Sequence, residues 1–157
     1  MPAIPVDTRH AALPLTPSEY VALRRRAAGF TVENLARALV TVGVHGRRHK
    51  PTDTQLAIMR RRAIDQVRLM ERPGSVIVSH DALRLIQSVM PFDPAIYRQL
   101  AEAPAHRHAR ICRGCGCSDH DPCISEVDRV ESICRLLSPH LCTHCVDRGL
   151  AEIGKAA

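Results

Sequence analysis

The chain has 157 residues, 45% of them hydrophobic, with 22 Lys and Arg against 16 Asp and Glu for a net charge of +6. That length supports one sizeable core, or a moderate core beside a small stapled module, and leaves no room for several large domains. No stretch approaches the roughly 20 apolar residues that span a bilayer, and the start, Met1-Pro2-Ala3-Ile4-Pro5-Val6-Asp7, lacks the basic and apolar regions of a secretory leader. A cytoplasmic protein with reduced thiols and no membrane contact is therefore expected.

Residues 1–15 are Pro-rich and aperiodic and read as an extended N-terminal arm. Thr16-Pro17-Ser18-Glu19 combines an N-cap hydroxyl, Pro at the first helical position and Glu three residues after the cap, so the pattern predicts a helix over 17–28, stopped by Gly29. Thr31 caps a second helix over 32–40, whose packing face is Leu35, Ala36, Ala38 and Leu39. Residues 41–51 contain Gly43, Gly46 and a basic run and read as an exposed loop or hairpin. Thr52-Asp53-Thr54-Gln55 is a second capping box. Leu56, Met59, Ala63, Val67 and Met70 then recur at three- and four-residue spacing, which predicts one long helix over 53–71, ended by Pro73-Gly74. Residues 75–79 read as a short extended run, a helix follows to about Met90, and Asp93-Pro94 caps a last one reaching about Glu102. The segment 105–110 reads as a linker, which separates a helical domain over 16–104 from a cysteine-rich module over 111–157.

All seven cysteines fall within 34 residues of that module, and the other 123 residues hold none. In a reducing compartment clustered thiols read as metal ligands before disulfides, and their odd count would leave one unpaired. Zinc takes four soft donors in a tetrahedron, and a C-x-x-C-G turn presents two thiolates on one knuckle. Cys112, Cys115 and Gly116 have that form, Cys142 and Cys145 make a second C-x-x-C pair, and the four cysteines are the expected ligands of a structural zinc, against free structural cysteines or redox thiols. Cys117, His120, Cys123 and Cys134 could form a second site, with a metal-free arrangement or different ligand sharing as the alternatives. No aromatic residue lies after Cys112, so the module has only aliphatics to pack and a metal would supply the missing stability.

The basic character belongs to the N-terminal part. Residues 1–110 hold 17 Lys and Arg against 9 Asp and Glu, whereas 111–157 hold 5 against 7. The cations come in blocks, Arg24-Arg25-Arg26, Arg47-Arg48-His49-Lys50 and Arg60-Arg61-Arg62, and such blocks attract polyanions by counterion release. The alternative is a solvated helix surface that keeps the chain soluble.

Two resemblances add to this reading. The order C-x2-C-G-C-x5-C, a further cysteine, then L-C-x2-C resembles the small cysteine-rich zinc module of many bacteriophage and prophage proteins. Residues 15–39 resemble the first two helices of phage-repressor-type helix-turn-helix domains. Residues 65–74, followed by Ala82-Leu83-Arg84-Leu85-Ile86, resemble that family's third and fourth helices, although 42–63 intervene. The resemblance implies a mainly α fold, a helix-turn-helix-like domain followed by a zinc-ribbon or treble-clef-like module. It also implies a DNA-binding regulator of mobile-element origin. Gln66 and Arg68, with Arg60, Arg61 and Arg62, would then reach base edges. Arg24, Arg25, Arg26, Arg47, Arg48 and Lys50 would lie on phosphates of DNA or RNA. Repressor-type domains pair so that two recognition helices meet successive major grooves, which makes a homodimer part of that expectation.

The competing expectation is a phage-type interaction protein, for example an anti-CRISPR, that binds a host or defence protein through its basic helices. Enzymatic motifs are missing from the sequence: it has no phosphate-cradling Gly-rich loop, no H-E-x-x-H and no strained Ser elbow, so no catalytic residue is expected.

Overall fold

The computed structural model describes residues 14–45, 49–127, 130–138 and 140–155. Most of the expected N-terminal arm, together with Arg47 and Arg48, lies outside the described residues. The described chain is mainly helical. Five helices come first, α1 (Pro17–Ala27), α2 (Val32–Val44), α3 (Asp53–Met70), α4 (His80–Gln87) and α5 (Pro94–Glu102). They are followed by a 3-10 turn, Ala105–Arg107, then β1 (Ile124–Val127), β2 (Val130–Ile133), β3 (Leu136–Ser138), β4 (Leu141–Cys142) and α6 (Thr143–Lys155).

The caps explain where the helices begin. Thr16 and Glu19 form a reciprocal box at α1, Thr16 N donating to Glu19 Oε2 at 2.8 Å while Thr16 Oγ1 accepts from Glu19 N. Thr52 and Gln55 do the same at α3. Thr31, Ser79 and Asp93 each accept from amides in the first turns of α2, α4 and α5. These bonds satisfy amides that a helix start otherwise leaves without partners.

Two helix ends differ from the sequence expectation: α4 stops at Gln87, short of Met90, and α2 overruns. α2 runs four residues further, to Val44, because Val40 is buried and Val44 still packs on the core, which outweighs the helix-weakening Gly43. Residues 75–79 join no strand: Ile77 N donates to Tyr97 Oη at 2.6 Å and Val78 is exposed.

The core gathers Tyr20 and Val21 of α1, Leu35 of α2, Val67 of α3, Leu83 and Ile86 of α4 and Tyr97 of α5. α2 packs chiefly on α3, and α5 on α1. Phe92 lies between the two tyrosines, its ring centre 5.3 Å from Tyr20 and 5.8 Å from Tyr97. Each tyrosine hydroxyl accepts a backbone amide, Asp93 N for Tyr20 and Ile77 N for Tyr97, so the rings bury their area without leaving a polar atom unpaired. Residues 45–52 separate α2 from α3, a longer connection than the three or four residues that join a helix-turn-helix pair. The segment expected to act as a recognition helix, near 64–71, is the second half of the continuous α3 and its C-cap.

The expected linker is held in place. Ala109 N donates to the Gln99 side chain at 2.8 Å, the His108 ring contacts Ala103 O at 2.8 Å, and Ile111 is buried within the helical core. Arg24 completes the attachment. It is 2% exposed, its Nε donates to Pro91 O at 3.0 Å, and its Nη2 meets Asp121 Oδ2 at 2.5 Å. Its stem also crosses Gly116, a position at φ 78° where an added Cβ would come within 2.8 Å of Arg24 Cδ. Arg25 makes a two-pronged pair with Glu71 at 2.5 and 2.8 Å and also donates to Phe30 O, tying α1 to the end of α3. Arg24 and Arg25 are thus internal ties, which corrects their expected place on a phosphate-binding surface. In this triplet two of the three arginines turn toward the protein and find carboxylates, Asp121 and Glu71.

Burial raises the Asp121 carboxyl above its ordinary pKa even with Arg24 beside it. Desolvation therefore cancels much of the ion pair's attraction, and the pair fixes how the module sits more than it adds net stability. Replacing Arg24 by Met is expected to lower the unfolding free energy by about 2–4 kcal/mol by stranding Asp121. Adding Asp121→Leu should recover more than half of that loss. Urea titration of the two variants against the parent tests this, and equal losses in both would show that the residues are not coupled.

Candidate metal centre

The module closes around sulfur. Cys112 N donates to Cys117 O and Gly116 N to Cys112 O, each at 2.8 Å, which folds 112–117 into a tight knuckle. Gly116 supplies the left-handed backbone that this turn requires. Arg113 N donates to His140 O at 2.7 Å, bringing the knuckle beside β4, where Cys142 is buried. α6 begins at the next residue, so Cys145 lies in its first turn, where the positive end of the helix dipole favours a thiolate. β1 pairs with β2 and β3 with β4, both antiparallel, and Cys134 N donates to Cys123 O at 2.9 Å, setting those two cysteines side by side.

The Sγ atoms of Cys112, Cys115, Cys142 and Cys145 all lie within 4.8 Å of one another. A tetrahedral zinc with bonds of about 2.3 Å sets its sulfurs about 3.8 Å apart, and Cys115 and Cys142 are at 3.7 Å. Cys142 N also donates to Cys112 Sγ at 3.4 Å, the amide-to-sulfur contact that stabilises a ligating thiolate. Several buried cysteines therefore lie close enough to hold a metal ion, and the donor set suits a soft or borderline divalent cation.

The expected second quartet does not assemble. His120 is exposed, and what it contributes locally is its backbone amide, which donates to Ser118 Oγ at 3.2 Å. Instead Cys115, Cys117, Cys123 and Cys142 form a second group with sulfurs within 4.8 Å of one another. Cys134 stands beside it, 3.5 Å from Cys117 Sγ and accepting from Cys123 N at 3.0 Å.

The thiols differ in acidity. Hydrogen bonds from neighbouring sulfurs, Cys112 foremost, bring Cys115 down to about 6, and bonds from Cys115 and Cys117 bring Cys123 down to about 4. Burial pushes Cys142 up to about 12 and Cys145 higher still. A cation arriving here meets sulfurs that already share protons, and its binding would release those that remain. A cleft of about 460 Å³ between the end of α1 and the module is lined by Arg24, Pro91, Cys115, Asp121, Cys123 and His144, which gives these sulfurs an approach from solvent.

On the helical part, Arg26, Lys50, Arg60, Arg61, Arg62, Gln66 and Arg68 are exposed. Arg61 faces Asp65 at 3.8 Å, and Arg68 faces Glu33 at 3.6 Å and Asp65 at 4.0 Å, all in solvent. Such long, exposed pairs are worth under about 1 kcal/mol and leave the cations available. Arg62 and Gln66 also border an apolar groove of about 320 Å³, walled by Leu39, Val40, Met59, Met70 and Leu85 among others. No helix among the described residues is long and apolar enough to cross a membrane.

Two residues that matter here were not among the expected metal-site parts. Gly114 lets α6 approach the knuckle, and Ser118 is buried and accepts from the His120 and Asp121 amides. The glycine between the two knuckle cysteines was the available clue. A Cβ on Gly114 would lie 2.7 Å from Cys145 Sγ and 3.2 Å from its Cβ. Gly114→Ala is therefore expected to displace Cys145 and weaken the chain's affinity for added zinc, the probe ion, at least tenfold, about 1.4 kcal/mol. Gly149→Ala, with nothing within 4 Å of the new methyl, should leave affinity unchanged. Competition with a chromophoric chelator reads both, and equal affinities would contradict this packing.

Compared with protein-family models, curated proteins and solved structures, the chain matches none of them.

Proposed function

We propose that this chain is a zinc-containing, non-enzymatic regulatory protein that binds nucleic acid, DNA in the first instance, through the outer face of α3. Cys112, Cys115, Cys142 and Cys145 would hold the zinc, whose part is structural: four thiolates close its coordination and leave no position for substrate. The observation that carries the reading is the run Arg60-Arg61-Arg62 exposed on one rigid helix, with Gln66 and Arg68 further along it. Ala63 and Val67 turn toward the core from the same helix, whereas Arg61, Asp65 and Arg68, spaced i, i+4 and i+7, share a face fixed outward. Arg and Gln have the donor and acceptor geometry to read guanine and adenine edges, and Lys50 and Arg26 add phosphate-binding charge. The proposed origin in a phage or other mobile element rests on the cysteine order in the sequence.

A second reading, an inhibitor-type protein that binds a host or defence protein, draws on the apolar groove beside Arg62 and Gln66, since helix-lined apolar grooves suit an amphipathic partner segment. Duplex binding measured by fluorescence anisotropy across a salt series separates the two. The nucleic-acid reading predicts a linear fall of log K with log salt, and Arg60, Arg61 and Arg62 changed together to Ala should reduce its slope by about 2–3. Absence of salt-dependent binding by the parent protein, with one stoichiometric protein partner recovered on pull-down, would favour the second reading.

A further inference from the structure

The two sulfur groups are not separate. Cys115 and Cys142 belong to both, and their Sγ atoms are 3.7 Å apart. We infer that the module holds two metal ions in one thiolate-bridged cluster. Cys115 and Cys142 are shared between the ions, Cys112 and Cys145 complete one site, and Cys117 and Cys123 complete the other. Two tetrahedral ions need eight ligand positions, and six thiolates fill them when two of the six bridge.

Distance, charge and donor supply each support sharing. Cys115 Sγ is 3.3 Å from Cys123 Sγ as well as 3.7 Å from Cys142, so it sits at the centre of the group and could not serve one ion while staying clear of the other. Four of the six sulfur residues, Cys112, Cys115, Cys117 and Cys142, are 5% exposed or less. Two independent four-thiolate sites would bury about four negative charges, whereas a doubly bridged pair of divalent ions carries about two, which costs less to desolvate. The buried guanidinium of Arg24, on the same cleft as Cys115 and Cys123, offsets part of that remainder. An independent second site also lacks donors, because His120 faces solvent. Cys134 is then an outer partner: its sulfur accepts the Cys123 amide at 3.0 Å and lies 3.5 Å from Cys117, where its thiol can donate to a ligating thiolate.

This inference rests on the reading that the thiols hold metal, and the two can fail separately. The test loads the full chain with NMR-active cadmium and counts ions by native mass spectrometry. Two cadmium ions per chain are expected, with two resonances that split one another through the shared sulfurs, and Cys134→Ser should keep both ions. One ion per chain, two unsplit resonances, or loss of an ion in Cys134→Ser would overturn the bridged cluster while leaving a metal centre in place. No bound cadmium at all would overturn both.

Discussion

Among its described side chains, the C-terminal module packs mainly sulfur. Its own buried cluster consists of Cys112, Cys115, Cys117 and Cys142, with Cys123, Cys134, Cys145 and Leu136 packed against it. The larger aliphatics around them face solvent: Ile124, Ile133, Leu137 and Leu141 are all substantially exposed. Such thin apolar burial leaves the module short of the conformational entropy it must offset. A metal bound by the thiolates, on the order of 10 kcal/mol in small zinc modules, would supply a large share of what is missing. The knuckle, the two short strand pairs and the start of α6 are then consequences of where the sulfurs must converge.

The second constraint is the join between module and helices. Arg24 leaves α1 at the position where a surface cation would be expected, crosses Gly116 and ends on Asp121. Its charge is balanced within the protein, as is that of Arg25 by Glu71. The consequence for function is a redistribution of positive charge. The first basic block is divided between the interior and solvent, while Arg60, Arg61, Arg62 and Arg68 of α3 all stay outward.

Local chemistry was legible in the sequence where it is set by neighbours along the chain. Thr16, Thr31, Thr52 and Asp93 begin helices as their side chains require, and each C-x-x-C pair brings its own two sulfurs together. What depends on distant partners was not legible. The end of α2 is decided by burial of Val40 and Val44 against other helices, which overrides the loop-like look of Gly43. The inward turn of Arg24 depends on Asp121, 97 residues away. His120 has metal-ligand spacing yet stays in solvent, because Ser118 fixes the local turn through the His120 and Asp121 amides. The overlap of the two sulfur groups likewise follows from tertiary convergence, which spacing alone could not disclose.

The central claim is that metal replaces the missing hydrophobic core of residues 111–145 and that the helical part stands on its own packing. Amide hydrogen exchange on the full chain, metal-loaded and metal-stripped at the same pH, addresses it most directly. The account predicts loss of protection across the knuckle, β3, β4 and the start of α6, weakened protection at the end of α1, and little change in α2 and α3. Equal protection of the module with and without metal would contradict it.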